Sequence, residues 1–94
     1  MSTKYVFEKG LKELRFLLCQ SSEQSAATRL FLNRAYPTMK KHNPHTPILI
    51  REASGTLPRV YARYGLGKEK MEGLSGLSDA QIEEKVTQMV KASS

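Results

Sequence analysis

Between Leu11 and Ile50 the hydrophobic period of this chain changes twice, and that change restricts the fold more than any other feature of the sequence. From Leu11 to Cys19 the apolar Leu14, Phe16 and Leu18 alternate with Glu13, Arg15 and Leu17, the period of two expected of a strand. Ser21, Ser22 and Glu23 then supply turn and capping chemistry, with Ser21 or Ser22 placed to accept an orphan backbone N–H as N-cap. Ala26, Ala27, Leu30, Phe31 and Ala35 follow at helical spacing, so a helix is expected over roughly 23–41 with that face inward and Arg29 and Arg34 in water. Pro37 lacks an amide hydrogen and clashes with the preceding turn, at a cost of about 3 kcal/mol in a helix interior, so a kink or break is expected near Ala35 and Tyr36.

A polar, proline-punctuated loop from His42 to Pro47 ends the helix and leads into the apolar run Ile48, Leu49, Ile50. Three consecutive strand formers without alternation imply burial on both faces. The expectation is therefore a central or covered strand, parallel to the first and reached by a right-handed crossover. Pro58 stands just before a third strand over Val60 to Tyr64. Gly65 and Gly67 then permit a sharp turn, so that Lys70 to Leu74 returns antiparallel as a fourth strand. Ser78 and Gln81 form a capping box, Asp79 suits the positive end of the helix dipole, and Ile82, Val86, Met89 and Val90 make one apolar stripe on a last helix running to about Lys91.

The resulting order, β-α-β-β-β-α, predicts an α/β fold with a four-stranded mixed sheet and helices packed on it. This is the arrangement of a minimal thioredoxin-like domain, although other α+β sandwiches share it. A chain of 94 residues has room for one core, read as a single domain over 11–92 after an N-terminal arm over 1–10. Cys19 falls at the end of the first strand, where thioredoxins carry their redox motif, and Pro58 falls before the third, where they keep a cis-proline. Both are assigned structural positions.

Charge is concentrated in the middle of the chain. Residues 24–68 hold eight lysines and arginines, among them Arg51, Arg59 and Arg63, against the single acid Glu52, while the whole chain carries +6. Such a surface attracts nucleic-acid phosphate, anionic lipid or an acidic protein surface, and Coulomb attraction alone does not choose among them. The apolar runs fall far short of the ~20 residues of a membrane-spanning helix. The N-terminal ten residues lack both the apolar core of a secretory signal and the arginine-rich composition of a cleavable presequence.

Several kinds of chemistry are disfavoured. One cysteine in the chain supplies no internal disulfide, CxxC pair or multi-cysteine zinc site. Without a resolving thiol, Cys19 cannot complete a thioredoxin cycle within the chain. His42 and His45 have no cysteine or acid beside them and make an incomplete metal set. Gly65-x-Gly67 leads into a further turn rather than a helix, so it is read as a hairpin and not as a phosphate loop. No catalytic, cofactor or metal residue is assigned. Tyr61, Arg63 and Tyr64 with Arg51 and Arg59 interleave rings and charge, which suits single-stranded RNA or a protein interface.

Leu14 to Gln20, Pro47 to Glu52 and Ala62 to Gly65 together resemble the small thioredoxin-fold accessory subunits of mitochondrial NADH:ubiquinone oxidoreductase, respiratory complex I, over about Leu11 to Val90. The same family includes mitochondrial ribosomal proteins. The resemblance implies a subunit without cofactor or catalytic activity, bracing the matrix-side peripheral arm near the NADH-oxidising module. It implies as partners other subunits of the complex, the large iron–sulfur subunit first among them, without nucleic acid and without insertion into the inner membrane whose matrix face it adjoins. Arg51, Arg59, Arg63 and Tyr64 are the interface candidates. The alternative is a mitochondrial ribosomal protein that binds rRNA through the same basic surface. Many members carry a second cysteine after the Arg-Glu pair; here that position is Ala53, which puts a redox-switch role in doubt.

Overall fold

A computed structural model describes residues 7, 10–19, 21 and 23–91. Its elements are β1 (Leu11–Leu18), α1 (Ala26–His42), β2 (Ile48–Glu52), β3 (Arg59–Tyr64), β4 (Glu69–Gly73) and α2 (Asp79–Lys91), with 3-10 turns at Glu23–Ser25 and Gly65–Gly67. The four strands form one mixed sheet in the order β2-β1-β3-β4. β1 runs parallel to β2, with Leu14 opposite Ile48 and Phe16 opposite Ile50. β3 is antiparallel to both β1 and β4, with Phe16 opposite Val60 and Tyr61 opposite Met71.

The alternation in β1 has the expected effect. Leu14, Phe16 and Leu18 join Val60, Ala62 and Tyr64 from β3 in one core with Phe31, Leu32, Ala35 and Met39 of α1 and Ile82, Val86, Met89 and Val90 of α2. Fully burying an aliphatic or aromatic side chain of this size contributes about 1.5–3 kcal/mol. The Phe16 and Phe31 rings meet at 6.3 Å with a 44° tilt, within the range of favourable aromatic pairs. Both helices therefore cover one face of the sheet, and they are tied together by Arg34, which donates to Asp79 at 2.7 Å and to Glu83 at 3.1 Å. On α2, Ser78 N–H donates to Gln81 Oε1 at 2.9 Å while Gln81 N–H donates to Ser78 Oγ at 3.2 Å, the reciprocal pair of a capping box.

Four expectations are corrected. The Ile48–Ile50 strand is not central or covered: β2 is an edge strand, where Ile48 is buried but Leu49 and Ile50 are each 40% exposed. An apolar run fills both faces of a strand only if both faces are covered, and no described element lies over the second. α1 is also rotated from its expected face, so that Leu30 is 62% exposed and Thr28, Phe31, Leu32, Ala35 and Met39 are buried. Of the kink or break expected near Ala35 and Tyr36, the break does not occur, because the helix runs through Pro37 as one element. Pro37 and Asn33 are both exposed, so water can satisfy the carbonyl that the missing N–H leaves unpaired. Finally, the N-cap is Ser25 and not Ser21; its hydroxyl accepts from Cys19 N–H at 3.0 Å instead of capping α1. Ser22 lies outside the described residues, as do most of the arm over 1–10 and residues 92–94.

The β3–β4 turn takes two successive residues into left-handed backbone, Leu66 (φ 65°, ψ 24°) and Gly67 (φ 76°). Glycine accepts this freely, whereas an L-residue there gives up roughly 1–2 kcal/mol.

Candidate docking face

Strand geometry sends alternate side chains to opposite faces, so the residues out of phase with the core occupy the face that the helices leave uncovered. By register these are Glu13, Arg15 and Leu17 on β1, Leu49 and Arg51 on β2, Arg59, Tyr61 and Arg63 on β3, and Glu69 and Met71 on β4. Their centre is apolar. Leu17 and Tyr61 are half-buried, Leu49 is 40% exposed and Met71 51% exposed. A shallow depression of about 320 Å³ is lined by Arg15, Leu17, Arg51 and Tyr61.

Cations surround this centre. Arg15 lies with its guanidinium carbon 5.0 Å from the Tyr61 ring centroid, a cation–π distance, and donates to Glu69 Oε2 at 3.1 Å. Glu13 lies between Arg15, at 3.8 Å, and Arg63, at 3.6 Å. Arg59 donates to Tyr61 Oη at 3.3 Å. Both glutamates of the face are thus engaged within the chain, while among the described residues Arg51 and Arg59 have no carboxylate partner. Exposed pairs of this kind contribute little to stability, so the excess positive charge remains available to an outside anion.

The predicted interface residues divide between two places. Arg51, Arg59 and Arg63 share the uncovered face. Tyr64 does not: it is 2% exposed, belongs to the core, and donates through Oη to Met89 O at 2.7 Å. Burial also pushes its phenol pKa up from the usual value. Its assignment to an interface is therefore corrected, because a tyrosine in phase with Val60 and Ala62 must point toward the helices. Arg15, Leu17, Leu49 and Met71 share this face with the arginines and were not among the predicted residues. The available signal was an apolar side chain at a strand position opposite in phase to the core, as at Leu17.

Cys19 and Pro58 lie away from this centre. Cys19 is buried at the end of β1; its carbonyl accepts from Arg29 Nη1 at 2.9 Å, and its sulfur lies 3.7 Å from Ser21 Oγ. Pro58 is buried, its carbonyl accepts from Leu74 N–H at 2.9 Å, and no described peptide bond is cis. Among the described residues no group of three or more histidine, cysteine, aspartate or glutamate side chains is arranged to hold a metal ion.

Residues 28–79 match the family model described as the mitochondrial ribosomal protein L51 / S25 / CI-B8 domain. The chain belongs to that family. Within the family it is 66% identical, over the full length of both chains, to the NADH-ubiquinone oxidoreductase 10.5 kDa subunit of Neurospora crassa. It is 46% identical to the NADH dehydrogenase [ubiquinone] 1 alpha subcomplex subunit 2 of Arabidopsis thaliana, over 98% of this chain and 95% of the relative. The protein of the same name from Mus musculus is 44% identical over 78% of this chain and 74% of the relative. The family description names mitochondrial ribosomal proteins beside CI-B8, whereas these three relatives carry NADH-ubiquinone oxidoreductase or NADH dehydrogenase names.

Proposed function

We propose that this chain is a non-catalytic accessory subunit of mitochondrial respiratory complex I, bound through the uncovered face of its sheet to an acidic surface on the large iron–sulfur subunit of the peripheral arm. The observation that carries the assignment to the complex is the 66% identity, end to end, with a named subunit of NADH-ubiquinone oxidoreductase. The uncovered face supports the mode of binding. It has an apolar centre able to lose water and a cationic rim able to select an acidic partner, the usual division of labour in an interface. In this role the chain braces the matrix side of the arm near the NADH-oxidising module, and Arg51, Arg59 and Arg63 supply the selective charge.

Blue-native separation of mitochondrial membranes, probed for this chain, tests the assignment. Migration with NADH dehydrogenase activity is expected; migration with a ribosomal particle rejects it. The ribosomal reading has one observation in its favour, the ribosomal members of the family model. It predicts direct binding of RNA that weakens by orders of magnitude between about 50 and about 200 mM salt.

A further inference from the structure

Leu66 sits at the tip of the β3–β4 turn with 99% of its surface exposed, and it is the sole described residue other than glycine with positive φ. A lone exposed leucine in ordinary backbone needs no explanation. One held in left-handed backbone before Gly67 does, because both the exposure and the conformation oppose folding, and glycine or asparagine would make the same turn more easily. The fold gains nothing from this side chain.

The turn is nevertheless well held. Tyr64 N–H donates to Lys68 O at 2.7 Å, and Gly65 N–H donates to Gly10 O at 3.0 Å, which ties the tip to the start of β1. The backbone that presents the leucine is thus held in place, which lowers the cost of ordering the turn on contact. Its surroundings are cationic: a Cβ placed at Gly65 would meet Lys12 Cε at 3.8 Å, while Lys68 and Lys70 follow the turn and both are exposed. The nearby carboxylates Glu13 and Glu69 are already engaged by Arg15 and Arg63.

We propose that Leu66 is an anchor that seats in an apolar socket rimmed by carboxylates on a neighbouring protein subunit, with Lys12, Lys68 and Lys70 matching the rim. It is a contact additional to the sheet face, and it rests on the reading of the chain as a subunit of the complex.

The test uses the full chain, imported into mitochondria lacking the endogenous copy, with retention in the complex read on blue-native gels. Leu66→Asn is expected to melt at or above the wild-type temperature when purified, yet to fall about tenfold or more in retention. Leu66→Met, which keeps the apolar volume, is retained, and Lys68→Glu with Lys70→Glu is lost as Leu66→Asn is. Wild-type retention of Leu66→Asn overturns the anchor, as does a lowered melting temperature, which would mean that the leucine serves the fold. Loss of Leu66→Met to the same extent overturns the apolar socket. Absence of the wild-type chain from the complex is a separate result: it rejects the proposed function, and the anchor with it.

Discussion

Tyr64 Oη donates a 2.7 Å hydrogen bond to the carbonyl oxygen of Met89. Met89 lies in the last turn of α2, where helix carbonyls have no partner within the helix. The bond therefore does for the C-terminal end of α2 what Ser78 and Gln81 do for its start, and it fixes the end of β3 beneath that helix.

Burial of this phenol makes stability sensitive to alkali. Burial raises the folded-state pKa of Tyr64 above the ordinary value of 10.0, so the unfolded chain loses this proton first. The contribution is complete below about pH 10 and is lost as pH rises through the raised folded value. Tyr64→Phe should cost roughly 1–2 kcal/mol at neutral pH through the orphaned carbonyl. The difference between wild type and variant should narrow above about pH 10, as read by urea unfolding at a series of pH values. A constant difference would contradict the role of the phenol.

Arg51→Glu combined with Arg63→Glu should release the chain from the complex. Arg63 is exposed and its pairing with Glu13 spans 3.6 Å, so reversal should cost the isolated fold under about 1 kcal/mol. Circular dichroism should be unchanged. Wild-type retention in the complex would reject the arginines as the selective element.

Cys19 should be dispensable for respiration. It is buried at the end of β1, and the chain holds no second cysteine to resolve a mixed disulfide. Cys19→Ser should leave both incorporation and NADH oxidation by the assembled complex at wild-type levels. A fall in turnover at normal incorporation would point to a redox role for the thiol.

The features legible in the sequence were those written locally. Alternation at Leu14, Phe16 and Leu18 marked β1, the glycines at 65 and 67 marked the β3–β4 turn, and Ser78 with Gln81 marked the start of α2, because each depends on neighbours a few residues away. The position of β2 was not legible. Ile48, Leu49 and Ile50 read as a strand covered on both faces, yet what lies over a strand is decided by distant elements, and here both helices pack on one side. The same cause hid the candidate face. Arg51, Arg59 and Arg63 stood out by charge, but Leu17, Leu49 and Met71 join them only once β1, β2 and β4 are in register. Tyr64 was misread because its composition suited an interface while its phase placed it in the core. In α1 the buried stripe passes through Phe31 and Leu32 and leaves Leu30 outside, a rotation that neighbouring apolar residues could not specify.

Oxidative footprinting of Met71 and Tyr61, in the isolated chain and in the intact complex, tests the account most directly. Met71 is 51% exposed on the uncovered face and should oxidise readily in the isolated chain. In the complex it should be protected about tenfold or more if that face is buried against a partner, with Tyr61 protected alongside it. Equal oxidation of Met71 in the two states would contradict the claim that this face of the sheet is the one the assembly covers.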